Sequence, residues 1–138
     1  MPGIEPTPVS GKAKVTLHLD ELHAIKNPEL IGKAEWALRL WINSIERWRS
    51  DSHISIADGS TVPVGAEIVT DVDPNTSVLE LKVQATERDP LNSDDHASGE
   101  ITLHRVAGFE KDRGGVIDIH GPGAHIQLRF SVGVVADQ

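Results

Sequence analysis

Alternation of apolar and polar residues with a period of two most constrains what this chain can fold into. In the segment 79–86, LELKVQAT, leucine, valine and alanine occupy every second position, and charged or polar residues lie between them. Successive side chains of a β-strand point to opposite faces, so this pattern predicts a strand with one face in the core. The same period recurs in short segments along the chain.

Turn-forming residues separate these segments. Asp58-Gly59 and Gly121-Pro122 are two of the dipeptides that predict turns, and Pro63 with Gly65 predicts that any strand in 62–72 lies at a sheet edge. The other predicted strands cover 14–19 with a continuation to 26, 35–43, 45–49, 52–57, 100–104, 116–120 and 125–132. About eight short strands with almost no helical periodicity predict an all-β fold, an antiparallel eight-stranded β-sandwich.

Composition narrows the class of protein. The chain has 138 residues, a formal net charge of −8 and no cysteine. This length predicts a single domain, and the negative charge argues against a nucleic-acid partner. Without cysteine the chain has no disulfide, thiolate metal ligand or cysteine nucleophile. Residues 1–11, with three prolines, predict a disordered lead-in to a sandwich domain at 12–138.

No targeting signal is visible in the sequence. The N-terminal segment MPGIEPTPVSG has neither a basic region nor an apolar run. A transmembrane helix needs roughly 20 apolar residues, and no window approaches that. We therefore expect a soluble protein, cytoplasmic or peripheral to a membrane by default.

An acidic segment follows the strand 79–86. Glu87, Asp89, Asp94 and Asp95 lie within nine residues, among turn-forming residues that predict a loop before Gly99. Carboxylates this close repel one another unless a cation is held among them, which indicates a site for a hard metal ion such as calcium. A solvated acidic loop without metal is the alternative. Zinc is a poorer candidate, because the seven histidines show no close paired spacing on any one element.

The order of these motifs resembles that of the C2 domain, an eight-stranded sandwich whose loops at one end bind calcium and dock on phospholipid. The resemblance rests on Gly32-Lys33-Ala34-Glu35, Glu87-Arg88-Asp89, Gly99-Glu100 and the late strand GAHIQLRFSV. It implies calcium ligands in two loops. These are Glu29 and Glu35, six residues apart in the first loop, and Glu87 and Asp89 with Asp95 or Asp94 in the third.

The tips of the same two loops carry apolar residues. Leu30 and Ile31 lie between Lys26 and Lys33 in the first loop, and Leu91 lies in the third. Apolar residues beside lysine suit shallow insertion into a bilayer interface, so Leu30, Ile31, Lys33 and Leu91 are the predicted membrane contacts. The alternative is that the apolar residues fold back over the open end of the core.

Nothing in the sequence favours catalysis. No serine stands in a G-x-S-x-G context, and aromatic residues make up only 4% of the chain, which leaves few platforms for sugar rings. Trp36 is predicted in the core, whereas Trp41, on the opposite face, could pair with Trp48 or lie at an interface.

The sequence therefore predicts a non-enzymatic, calcium-binding C2-like module that associates with a phospholipid membrane or a larger assembly. One alternative is a metal-independent structural or adaptor sandwich that self-associates through edge strands or docks on a protein partner. Another is a small carbohydrate-binding module.

Overall fold

The computed structural model of the protein describes residues 13–27, 33–72, 78–88, 95–104 and 113–136. Within these ranges the chain forms nine antiparallel strands and no helix. The strands are β1 (Ala13–Lys26), β2 (Lys33–Ile42), β3 (Ile45–Arg49), β4 (Ile54–Ala57), β5 (Thr61–Val72), β6 (Val78–Glu87), β7 (Asp95–His104), β8 (Arg113–Gly121) and β9 (Ala124–Ala136). The predicted lead-in at 1–11 lies outside the described residues.

The strands pair in the order β3-β2-β6-β7-β8-β9-β1-β5, and β4 pairs with β2 beside β3. Most neighbours share long ladders, but β7 and β8 meet at one backbone pair, Ser98 with His120. Hydrogen bonding is therefore nearly interrupted there, and the strands divide into two layers. The layers touch again where β1 meets β4 and where β3 meets β5. This arrangement is the predicted antiparallel β-sandwich.

Two glycines allow β7 and β8 to cross closely. A Cβ atom on Gly99 would overlap the backbone carbonyl oxygen of Asp118, and one on Gly121 would overlap the carbonyl oxygen of His96. Only glycine lets two backbones approach this closely without a shift of one strand. Gly99 and Gly121 therefore fix where β8 meets the other layer.

The core forms from the alternate, inward-facing residues of both layers. Trp36 is fully buried, as predicted, and the large aromatic side chain of Phe130 is buried as well. The remaining buried hydrophobic side chains are Val15, Leu17, Leu19, Leu22, Ala24, Ala34, Leu38, Leu40, Ile42, Ile56, Ile68, Leu79, Leu81, Val83, Ala85, Ala97, Leu103, Ile117, Ile119, Ala124, Ile126, Leu128 and Val132.

The predicted strands are confirmed, with one notable shift in a boundary. β7 begins at Asp95 rather than near Glu100, because its ladder with β6 runs without interruption from Val78 opposite His104 to Glu87 opposite Asp95. Gly99 therefore lies inside β7 and not in a loop before it, and it is the point at which β8 crosses. β5 pairs only with β1 and lies at the edge of its layer, as its proline and glycine predict.

Trp41 on β2 and Trp48 on β3 lie on opposite faces of their layer. Trp41 is paired with Glu46 and Lys82 on the outer face, where the guanidinium carbon of Arg39 lies 4.9 Å from the centroid of the indole ring. Trp48 is opposite Leu40 and packs partly buried against the core. Trp41 and Trp48 therefore do not form a cross-strand pair.

An ion-pair cluster joins β2 to β3 beside Trp41. Arg39 Nε donates to Glu46 Oε1 at 2.9 Å, and Arg49 Nη2 donates to the same oxygen at 3.0 Å. The hydrogen bond from Arg39 lowers the pKa of Glu46 below its ordinary value of 4.5, and Arg49 adds to this effect. The cluster fixes the short β3 against β2 on the solvent side.

Candidate metal-binding end of the sandwich

Three of the predicted calcium ligands lie on neighbouring strands at one end of the molecule. β2 begins where β6 ends and β7 begins, so that Trp36 is directly opposite Glu87 and Glu87 is directly opposite Asp95. Glu35 adjoins this row, since the backbone N–H of Arg88 donates to the carbonyl oxygen of Glu35 at 2.9 Å. We call the end defined by Glu35, Glu87 and Asp95 the acidic end.

The three carboxylates do not share one face of the layer. Directly opposed residues of an antiparallel pair place their side chains on the same face, so Glu87 and Asp95 are on the core side with Trp36. Glu87 is only 1% exposed, whereas Asp95 is half-buried at the rim. Glu35 precedes Trp36 in β2, so its exposed side chain is on the outer face.

The other predicted ligands, and the predicted membrane contacts apart from Lys33, belong to the two segments that leave this end. The segments 28–32 and 89–94 connect Asn27 to Lys33 and Arg88 to Asp95. Lys33 is exposed and pairs with Ala57. The residues Glu29, Asp89 and Asp94, together with Leu30, Ile31 and Leu91, lie outside the described residues.

A buried asparagine anchors the end of β1 at the acidic end. Asn27 is 2% exposed, and its side-chain Nδ2 donates to the carbonyl oxygen of Ile56 at 3.0 Å. Its Oδ1 accepts a hydrogen bond from the indole Nε1 of Trp36 at 3.1 Å. The backbone N–H of Asn27 donates to Asp58 Oδ1 at 2.7 Å. These bonds tie the end of β1 to β2 and β4 at the acidic end.

The structure also brings together a histidine-containing cluster that sequence reasoning missed. Asp118 and His120 are two residues apart on β8, and His120 is directly opposite His125 on β9. Their ligand atoms all lie within 4.8 Å of one another. A paired spacing within a single strand does not reveal this cluster, because its ligands come from both strands of the β8–β9 hairpin. The available signal was Asp-x-His followed, after a Gly-Pro-Gly turn, by His125.

Contacts within this cluster are short. Nε2 of His125 is 2.9 Å from Asp118 Oδ1, and Nε2 of Gln127 donates to the same oxygen at 2.9 Å. The rings of His120 and His125 stack with their centroids 4.0 Å apart. The hydrogen bond from Gln127 is the largest cause of a lowered pKa for Asp118, and that from His125 is the second. Asp118 therefore stays ionised to a lower pH than an isolated aspartate.

The cluster lies near the acidic end but on the outer surface. Ile117 and Ile119 are buried, so Asp118 and His120, which alternate with them along β8, point outward. Gly121, the last residue of β8, adjoins His96, the second residue of β7. His96 itself is exposed, with Nδ1 3.3 Å from the hydroxyl oxygen of Thr86.

Comparison with known proteins identifies the fold. No family model matches the sequence, and no curated protein matches it either. Among solved structures, a C2 domain-containing protein shares 13% identity at a TM-score of 0.62, with 93% of each chain covered. A C2 domain of plant extended synaptotagmin 1 shares 11% identity at a TM-score of 0.63, covering 93% of this chain and 98% of that one.

A third similar structure is part of a much larger protein. Human GIVD cytosolic phospholipase A2 shares 10% identity at a TM-score of 0.61, over 94% of this chain but only 18% of the enzyme.

Among the residues that the structure describes, no helix is long and apolar enough to span a bilayer. The strand order and these likenesses confirm the fold that the sequence resemblance implied: the chain has the β-sandwich fold of C2 domains.

Proposed function

We propose that this protein is a non-enzymatic C2-type module that binds calcium at the acidic end and thereby associates with a phospholipid membrane or a larger assembly. The observation that carries this proposal is the meeting of Glu35, Glu87 and Asp95, from three neighbouring strands, at one end. The segments 28–32 and 89–94, which hold the remaining predicted ligands, leave the sandwich at this same end.

The ligand chemistry favours a hard cation there. Glu87 and Asp95 are directly opposite each other on one face, so two carboxyl groups from neighbouring strands lie within reach of a single ion. Calcium takes six to eight oxygen ligands at about 2.3–2.6 Å, drawn from carboxylates, carbonyls and water. Asp89 and Asp94, which lie between Glu87 and Asp95 in the sequence, are the further ligands we propose in the third loop, and Glu29 is the one we propose in the first.

The ligands differ in where their side chains lie. Glu87 and Asp95 share a face, whereas the exposed side chain of Glu35 leaves β2 on the other face. We therefore expect calcium binding to depend more on Glu87 and Asp95 than on Glu35. Leu30, Ile31, Lys33 and Leu91 are the proposed membrane contacts, and bound calcium would offset the negative charge that otherwise repels anionic lipid.

A thermal melt with calcium, magnesium and chelator tests calcium binding. At a calcium concentration about tenfold above the Kd, binding adds about 1.4 kcal/mol to the free energy of unfolding. For a chain of this length that raises the Tm by roughly 4–7 °C, and chelator reverses the rise. The shift is expected to disappear in Glu87→Gln and in Asp95→Asn.

Glu80→Gln is the matched control for this melt. Glu80 is an exposed carboxylate on the same strand as Glu87, near the opposite end of β6, and should leave the calcium shift intact. Each variant is compared with its own chelator-treated melt, so a change in basal stability does not count as lost binding. A wild-type Tm that does not respond to millimolar calcium would refute the calcium proposal.

Vesicle sedimentation tests the membrane step. With vesicles of phosphatidylserine and phosphatidylcholine, we expect the protein to pellet with calcium and to remain in the supernatant with chelator. Leu91→Asp should abolish pelleting while leaving the calcium-dependent Tm shift unchanged. Binding to calcium without any pelleting would direct the search for a partner to a protein assembly instead.

One observation favours the metal-independent adaptor as a second candidate. β5 lies at the edge of its layer, and Val69 on it is a large hydrophobic residue that is 56% exposed. An edge strand with an exposed apolar residue can pair with another chain. This candidate predicts a Tm indifferent to calcium and a mass above that of the monomer in light scattering. A monomer whose Tm responds to calcium would exclude it.

A further inference from the structure

We propose that Asp118, His120 and His125 form a binding site for a borderline transition-metal ion, represented by Zn²⁺, on the outer face of the β8–β9 hairpin. The site uses none of the carboxylates of the acidic end. It is therefore independent of the calcium proposal, and either can fail without the other.

The ligand chemistry separates the two sites. Two imidazole nitrogens and one carboxylate oxygen suit zinc, and the same set binds nickel and copper, whereas calcium prefers oxygen ligands throughout. No carboxylate other than Asp118 belongs to the cluster of ligand atoms found in the described part of the chain. We therefore expect this hairpin to take up zinc in the presence of excess calcium.

The geometry requires only small side-chain movements. Zinc bonds of about 2.0–2.1 Å in a tetrahedron place neighbouring ligand atoms roughly 3.3 Å apart. The ligand atoms here lie within 4.8 Å of one another, and His125 Nε2 is 2.9 Å from Asp118 Oδ1. Asp118 and His125 already hold their ligand atoms close together, and the exposed ring of His120 has room to rotate toward them.

The backbone under the site is well fixed. β8 and β9 pair without a register shift from Arg113 opposite Val132 to Gly121 opposite Ala124, so His120 and His125 are held face to face. On the other side, Gly99 and Gly121 seat β8 closely against β7. A site carried on paired strands holds its ligands more rigidly than one on a loop.

A neighbouring amide orients the carboxylate. Nε2 of Gln127 donates to Asp118 Oδ1 at 2.9 Å, and Gln127 is the residue directly opposite Asp118 in the ladder. Such a hydrogen bond fixes the rotamer of a metal-binding carboxylate. When zinc binds, Nε2 of His125 loses its proton and coordinates the ion instead of Asp118. Asp118 can then coordinate the ion through either carboxylate oxygen while Gln127 still donates to Oδ1.

The site leaves room for a further ligand. Asp118 and His120 line a shallow concavity of about 370 Å³ together with Lys82, Ser98 and Glu100. Three protein ligands with an accessible fourth position are the arrangement of an open zinc site, which takes water or an external donor. The structure thus favours an exchangeable metal over a sealed structural one.

Zinc titration of the tag-free, metal-free full chain by isothermal calorimetry tests the proposal, with calcium present in excess to fill oxygen sites. We expect one zinc ion per chain, and a loss of affinity of at least about 10–100-fold in His120→Ala and in His125→Ala. His53→Ala is the matched control, because His53 is exposed and lies outside the cluster, and its affinity should equal that of the wild type.

Cobalt provides a second readout that a purely structural effect would not change. Co²⁺ bound to two imidazoles and a carboxylate in a four-coordinate site gives visible d–d absorption, which should vanish in His120→Ala and persist in His53→Ala. Metal-free melts verify that each variant is folded. The proposal is overturned if wild type takes up no zinc, or if folded His120→Ala and His125→Ala bind zinc as tightly as wild type does.

Discussion

Replacing Asn27 by alanine should destabilise the protein strongly, although Asn27 is a polar residue at the end of a strand. The side chain is 2% exposed and links the indole N–H of Trp36 to the carbonyl oxygen of Ile56. Alanine leaves both of those buried groups without this partner. A buried polar group that loses its hydrogen bond lowers the free energy of unfolding by about 1–3 kcal/mol, so we expect a total loss of about 2–6 kcal/mol for the two groups.

This loss is measurable by chemical and thermal unfolding. For a chain of this length each kcal/mol lowers the Tm by roughly 3–5 °C, so Asn27→Ala should unfold about 6–30 °C below wild type. In urea the midpoint should fall while the slope m stays the same, because the surface exposed on unfolding is unchanged.

A double-mutant cycle isolates the bond between the two side chains. Trp36→Phe keeps an aromatic ring but removes the indole donor, so Asn27→Ala should cost less in that background by about 1–2 kcal/mol. A cost below about 0.5 kcal/mol for Asn27→Ala in the wild-type background, the range of ordinary surface substitutions, would refute the reasoning. It would mean that water replaces the amide at this end of the sandwich.

Two further predictions concern the strand crossing and the surface ion pairs. Gly99→Ala should lower the free energy of unfolding in urea by at least about 1 kcal/mol, because the added Cβ overlaps the backbone of Asp118. Gly133→Ala is the control, since its Cβ would have no atom within 4 Å and should not destabilise the fold. NMR titration should give Glu46 a pKa below 4.5, because Arg39 stabilises its ionised form. Wild type should therefore be more stable than Glu46→Gln above about pH 4.5, and this difference should vanish as the pH falls through the lowered pKa. A difference in unfolding free energy that does not change with pH in acid would contradict this.

Strands were predictable because each strand's inner face is buried. Along β6 every second residue from Leu79 onward is buried, so the period of two in the sequence is the direct imprint of the core. The start of β7 was not predictable in this way. Its inner positions, Asp95, Ala97 and Gly99, are polar or small because they lie at the rim and under the crossing with β8. Tertiary position outweighed local propensity there.

The acidic end was partly predictable for a different reason. Strand alternation and the resemblance together placed Glu35, Glu87 and Asp95 at one end, and the register of β2, β6 and β7 brings them there. The face that each side chain occupies depended on where the strands stop. Turn-forming neighbours in the sequence place Glu87 in a loop, whereas Glu87 is the last residue of β6 and faces inward.

The role of Asn27 shows what periodicity omits. In the sequence, Asn27-Pro28 indicates only the end of a strand. Its side chain acquires a structural role because β2 and β4 bring Trp36 and Ile56 beside it. Contacts of this kind join residues that are 9 and 29 positions apart, and no local pattern encodes them.

The histidine cluster depends on the register of one hairpin. Asp118 and His120 share a face by the period of a strand, which the sequence alone reveals, but His125 joins them only because the turn pairs it with His120. A slip of one residue would move His125 to the buried face and abolish the cluster. The outward position of Asp118 and His120 follows from the burial of Ile117 and Ile119 on the same strand. Burial of the core residues therefore determines that Asp118 and His120 face outward, and the length of the turn determines that His125 is paired with His120.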